Sequence, residues 1–222
     1  MRLVGTVCRR AALATPGGIP ANYSPEDRVF SRIVKRLCVG AGVVVLSVGL
    51  WAGFLRLTGN VHEVEPGLVF RSGQLSASQL HRLIADKHLR AVINLRGKSD
   101  APWYKAEIAL TAATGVQHVD LSISAGTEPD APRLDSLRQL LRTTPRPFLI
   151  HCEGGADRSG LASALYALDE LRLTPTEADR QLTFRYGHFP WIGKTGAMDR
   201  AFWRVAARVG TDPTTSTPVP EA

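Results

Sequence analysis

The chain has 222 residues, 44% hydrophobic and 21% charged, enough for one ordinary α/β domain with additions. Its formal net charge is +7, but residues 1–37 hold seven basic and two acidic residues, leaving 20 basic against 18 acidic in the rest. The domain is therefore nearly neutral, which argues against a nucleic-acid footprint. Its three cysteines, Cys8, Cys38 and Cys152, form no CxxC pair, so zinc and thioredoxin-like sites have no support.

Residues 1–37 are basic, rich in Gly, Pro and Ala, and without apolar periodicity; they read as a disordered tail. Residues 38–57 form a membrane-spanning helix in this reading, built on an uncharged run that begins at Cys38 and ends at Leu55. Eighteen helical residues reach about 27 Å against a ~30 Å hydrocarbon core. Arg28, Arg32, Lys35 and Arg36 precede the run, and only Arg56 follows it closely. The positive-inside rule then places the C-terminal domain outside the cytoplasm, in the periplasm, with Trp51 at the outer interface. A cleaved signal peptide and a buried segment are the competing readings.

A domain over residues 60–209 follows, and residues 210–222 form a Pro/Thr tail expected to be disordered. Residues 67–71 predict a strand. Ser76, with Gln79 as its capping-box partner, starts a helix over Ala77–Lys87 whose apolar face is Leu80, Leu83 and Ile84. Residues 91–95 predict a buried strand. A helix over 103–113 ends at Gly115, and a strand over 116–123 follows. After a loop over 125–132 comes an amphipathic helix over 133–141, with Leu134, Leu137, Leu140 and Leu141 inward. The last elements are a strand over 147–151 and helices over 160–170, 177–184 and 197–209. Strands alternating with helices imply an α/β fold: a central, mostly parallel sheet of four to five strands flanked by helices. Ligands in such sheets sit beyond the carboxyl ends of the strands.

The loop after His151 lies at such an end. It reads Cys152, Glu153, Gly154, Gly155, Ala156, Asp157, Arg158, Ser159, Gly160. Cys152 would sit beside Arg158, at a helix N-terminus and within a ring of backbone N–H groups, surroundings that suit a nucleophilic thiol. Arg158 would clamp phosphate oxygens with its planar fork. Gly154 and Gly155 would let the backbone curl around the anion. Ser159 either caps the following helix or hydrogen-bonds the sulfur, and His151 is a structural residue or a tuner of the thiol.

HCEGGADRSG resembles the signature loop of cysteine-dependent protein tyrosine and dual-specificity phosphatases, with a centre most similar to a bacterial dual-specificity-like branch. The likeness extends to residues 69–74 (VFRSGQ), 92–96 (VINLR) and 181–188, and covers roughly residues 62–207. The resemblance implies a compact α/β domain, no metal or other cofactor, and two-step hydrolysis through a phospho-cysteine. By position it makes Cys152 the nucleophile, Arg158 the phosphate clamp, and Glu153, Gly154, Gly155, Ala156, Asp157 and Arg158 the phosphate-binding cradle. Ser159 would assist breakdown of the intermediate.

The family's proton-donating Asp has no clear Trp-Pro-Asp motif here. Asp130 is the preferred candidate because it lies in a loop, followed by Glu128 and Asp120; a helix-dipole role competes for these carboxylates. Asp157 fits better as an orienting group. Glu153 and Asp157 add negative charge to the cradle, which favours phosphotyrosine on proteins, or small phosphomonoesters, over inositol polyphosphates. The expected enzyme is a monomeric, membrane-anchored phosphatase. A pseudophosphatase that binds phosphorylated partners without turnover is the alternative from another class. A rhodanese-type sulfurtransferase is disfavoured by the loop's spacing.

Overall fold

The computed structural model describes residues 25–209. The tail expected over 210–222 and most of the tail expected over 1–37 lie outside these residues. A helix, α1, runs over Pro25–Thr58, so residues 25–37 are helical rather than part of a tail. Proline is well placed at a helix's first position, and no Gly or Pro interrupts the segment before Gly40. Every described side chain from Arg32 to Leu50 is exposed. The stretch Arg32–Thr58 is long and apolar enough to cross a bilayer, a test that a signal sequence near an N-terminus also passes. The chain divides into two compact units, one ending at Val48 and the other beginning at Gly49.

The second unit is built on a five-stranded sheet of order β1-β2-β5-β3-β4. Its strands are β1 (His62–Glu65), β2 (Val69–Ser72), β3 (Ala91–Asn94), β4 (Gln117–Asp120) and β5 (Phe148–His151). All neighbours pair in parallel except β1 with β2. Strand β1 escaped the sequence reading: it has one apolar residue, Val64, lies at the edge, and its pairing is broken by a bulge.

Strand alternation divides the core between the two faces of the sheet. Phe70, Val92 and Leu149 pack with Leu80 and Ile84 of helix α2 (Ala77–Lys87). Ser76 caps that helix with the predicted capping box. Helix α3 (Pro102–Thr114) packs against α2 and ends at Gly115 in the left-handed conformation. On the other face Ile93, Phe148 and Ile150 pack with Leu134 and Leu137 of α4 (Ala131–Thr143) and with α5 (Asp157–Asp169). In α5 every residue from Ser159 to Leu168 is buried. Truncating Leu161 or Leu165 there to Ala would cost about 2–5 kcal/mol.

Two boundaries differ from expectation. Helix α5 begins at Asp157, three residues early, which places Arg158 and Ser159 in its first turn. The helix expected over 177–184 is instead a single turn, α6 (Pro175–Ala178), followed by 3-10 segments at Asp179–Gln181 and Phe184–Tyr186. The backbone there follows i→i+3 bonds, Leu182 N–H to Asp179 O and Gly187 N–H to Phe184 O, and Arg71 binds both the backbone and the side-chain carbonyl of Gln181 between them. The last helix, α7 (Ala197–Val209), packs against α5.

Candidate functional site

Strand β5 is central, and its last residue, His151, aligns across the sheet with Ser72 of β2 and Asn94 of β3. The loop 152–156 therefore leaves the carboxyl end of the sheet and turns directly into α5. Seven of the sequence candidates, Cys152 to Arg158, lie in this loop and the first turn of α5, and Ser159 lies one residue further on. Cys152 is 2% exposed, and its Sγ accepts the Gly155 N–H at 3.3 Å. Gly155 has φ +73°, and a Cβ there would lie 2.5 Å from Gly73 N and 2.7 Å from the Ser72 carbonyl carbon. At Gly154 a Cβ would meet nothing within 4 Å. Only the second glycine is thus demanded by geometry.

Arg71 supports the loop from behind. Its side chain is fully buried, lies 4.0 Å from the Tyr186 ring centroid, and donates to the carbonyls of Gly155 (2.9 Å) and Ala156 (3.1 Å). In a trans peptide the N–H points opposite the C=O, so pulling these carbonyls back turns the amides of Ala156 and Asp157 the other way. Burial lowers the Arg71 pKa to about 10 against the opposing influence of Tyr186, Cys152 and Asp157, which leaves it charged at neutral pH. Asn60 ties the loop on another side, donating to Gly154 O at 2.9 Å and Tyr186 O at 2.8 Å.

Arg158 is mostly buried. Its nearest carboxylate is Glu153 at 3.8 Å, and its Nε has no hydrogen-bond partner. Ser159 is not the helix cap. It lies inside the first turn and donates to Ser72 O at 3.2 Å. His151 contacts Glu107 Oε1 through Nε2 at 2.9 Å, and its Nδ1 lies 3.4 Å from Cys152 O.

Glu107 joins several of these parts. It is 4% exposed on α3 and also bonds His118 at 2.9 Å and Gln74 at 3.0 Å. Burial pushes its carboxyl up, but hydrogen bonds from His118, His151 and Gln74 outweigh this and hold it at about 2. Gln74 in turn accepts from Arg96, whose guanidinium stacks 3.9 Å from the Trp103 ring centroid. Asp157 pairs with His188 at 2.7 Å, and the other nitrogen of His188 meets Asp199 at 2.9 Å. Burial lowers the His188 pKa, yet the two carboxylates together raise it above its ordinary 6.5.

A cleft of about 690 Å³ opens beside the loop, lined among others by Gln74, Arg96, Glu153, Gly154 and Asp157. Cys152 and Arg158 do not line it, and neither do the three candidate proton donors. Asp130 caps α4, accepting from Arg133 N at 2.9 Å. Glu128 pairs with Arg204 at 2.8 Å and Arg200 at 3.4 Å. Asp120, at the end of β4, accepts from Asn94 (2.8 Å) and Tyr104 (2.6 Å).

Sequence reasoning assigned no role to Arg71, Gln74 or His188, although all three fall in segments that carried the family likeness. Asn60, Glu107 and Asp199 were missed outright. The one local signal was an isolated Glu within the apolar stretch of α3, where Glu107 and Thr111 are the buried residues.

Residues 56–179 match the family model described as DSP-PTPase phosphatase fused to NAD+ kinase. No curated protein sequence matches the chain. Among solved structures, the fold is similar to TpbA of P. aeruginosa, at 22% identity, covering 68% of this chain and 91% of that one, with a TM-score of 0.52. Tk-PTP in its active form is 21% identical, with 67% and 97% covered and a TM-score of 0.54. The core catalytic domain of the PP-IP phosphatase SIW14 of S. cerevisiae is 18% identical, with 69% and 94% covered and a TM-score of 0.51. A cysteine-to-serine form of TpbA, 19% identical with 69% and 92% covered and a TM-score of 0.52, has been solved in complex with phosphotyrosine.

Proposed function

The chain belongs to the DSP-PTPase phosphatase family, and from that membership we propose that it hydrolyses phosphomonoesters, phosphotyrosine on proteins foremost, through a phospho-cysteine. The observation that carries the reading is the Cys152 sulfur held by the Gly155 amide at the N-terminus of α5. A helix N-terminus favours anions by its dipole and its free N–H groups. In the first step the Cys152 thiolate attacks phosphorus, the bond to the leaving oxygen breaks, and that oxygen takes a proton. In the second step water attacks the phospho-cysteine, and the thiolate leaves as inorganic phosphate forms. Arg158 follows the phosphoryl oxygens through both transition states. Ser159 acts on the loop through Ser72, its observed partner.

For the proton donor we propose Asp130. It is exposed and held by a single capping bond, whose loss costs about 1 kcal/mol. Glu128 is tied by two side-chain partners and Asp120 by three, Asn94, Tyr104 and His118. Glu153 and Asp157 offset Arg56 and Arg96 on the cleft, so its lining offers no net positive charge to a substrate bearing several phosphates. The phosphotyrosine complex of the TpbA variant supports phosphotyrosine as the first substrate to test. We read α1 as a single-pass anchor that leaves the phosphatase domain outside the cytoplasm, a topology that a C-terminal alkaline phosphatase fusion checks.

The pseudophosphatase reading draws on one observation, that the side chain of Asp130, the proposed donor, is engaged as the cap of α4. Comparing the wild type with Cys152→Ser on para-nitrophenyl phosphate separates the two. The phosphatase reading requires turnover by the wild type and at least a thousandfold loss in the variant, on the order of the losses seen for removal of a catalytic nucleophile. Equal rates would refute it.

A further inference from the structure

A continuous line of aromatic side chains runs from Trp51, two turns before the end of α1, to an exposed loop beside the cleft. Trp51 meets Phe189 edge-on with ring centroids 6.0 Å apart, and Phe189 meets Trp191 at 5.9 Å. Trp191 is 75% exposed, Ile192 59% and Phe184 68%. Residues 184–194 carry Arg185 and Lys194 and no Asp or Glu. Large apolar side chains beside cations, next to an aromatic residue at the end of an apolar helix, match the composition of a lipid–water interface.

The same elements border the phosphate loop. Trp51, Leu55, Arg56 and Phe189 line the cleft together with Gly154 and Asp157. The apolar stretch ends at Thr58, and two residues later Asn60 bonds the carbonyl of Gly154 in the phosphate loop.

We propose that residues 184–194 dock on the bilayer that α1 enters, with Trp191 and Ile192 at the interface and Arg185 and Lys194 near anionic headgroups. The occupant of this face is an anionic lipid surface, and the cleft is thereby held at membrane level, within reach of phosphotyrosines close to the bilayer on other membrane proteins. The inference rests on reading α1 as a membrane span.

The test uses the full chain reconstituted in phosphatidylcholine/phosphatidylglycerol vesicles, with and without brominated acyl chains that quench tryptophan by contact. Trp191→Phe removes a quenchable emitter, so the quenched amplitude falls while the unquenched remainder is unchanged. Loss of unquenched emission only would mean that Trp191 stands in water or faces a protein partner, and would overturn the docking. Trp191→Ser with Ile192→Ser raises KM about tenfold for an acylated phosphotyrosine peptide in the vesicle. The same double variant leaves para-nitrophenyl phosphate turnover unchanged. Equal KM values on the acylated peptide would overturn the docking as well. Release of the wild type from vesicles by alkaline carbonate would instead break the anchor reading, an outcome distinct from both.

Discussion

Two adjacent glycines in the loop make opposite demands, and Gly155→Ala against Gly154→Ala exposes the difference. At Gly155 an alanine must adopt φ +73° with its Cβ 2.5 Å from Gly73 N and 2.7 Å from the Ser72 carbonyl carbon. The left-handed conformation costs an L-residue about 1–2 kcal/mol. Backbone atoms cannot step aside as a flexible side chain can, so overpacking adds about 1–3 kcal/mol. Relief requires residue 155 to move, and its N–H is the donor to Cys152 Sγ. Gly155→Ala is therefore expected to lose about 2–5 kcal/mol in urea unfolding. The displaced amides should lower kcat on para-nitrophenyl phosphate by about a hundredfold or more. At Gly154 the Cβ meets nothing within 4 Å, and Gly154→Ala should unfold and turn over close to wild type. Matching behaviour of the two variants would refute the assignment of Gly155 as the residue that sets the loop.

The remaining predictions separate neighbouring roles. Asp130→Asn keeps the cap, since Asn caps as well as Asp, but cannot donate a proton. It should cost about a hundredfold on alkyl phosphates and little on para-nitrophenyl phosphate, whose leaving group needs no acid. Undiminished alkyl phosphate turnover would remove Asp130 from the mechanism. Glu107, held at about 2 against an ordinary 4.5, contributes on the order of 3 kcal/mol that is present above pH 4.5 and lost as pH falls toward 2. Glu107→Gln should flatten that window in urea midpoints measured across acid pH; an unchanged slope would contradict it. His188 has the opposite sign. Its raised pKa contributes stability that is full below 6.5 and is lost as pH rises through the folded value. His188→Gln should abolish this alkaline decline, and a decline of wild-type size in the variant would assign it elsewhere.

Most of the loop and its placement could be read from the chain, because the signals were local. An apolar run ending in His151, two glycines and Arg158 sit within a dozen residues, and the capping box of α2 is written in Ser76 and Gln79. What failed depended on distant partners. The helix expected over 177–184 had adequate local propensity, but the segment after Ala178 follows i→i+3 bonds and is tied at Gln181 to Arg71, 110 residues away. Glu107 reads as an ordinary helix carboxylate until folding brings His151 to it across 44 residues. Asp130, chosen for its loop position, is bound as a helix cap, a local role that the following Ala131 and Pro132 already permitted. The edge strand β1, with Val64 its one apolar residue among His62, Glu63 and Glu65, is too polar for a period-two pattern to stand out.

The phospho-cysteine is the centre of the account, and rapid acid quench of the wild type with a phosphotyrosine peptide tests it most directly. Mass analysis of the digested protein should find a gain of one phosphoryl group on the peptide that holds Cys152, formed at the rate of the first step and absent in Cys152→Ser. A phosphoryl group on another residue, or steady turnover in Cys152→Ser, would contradict it.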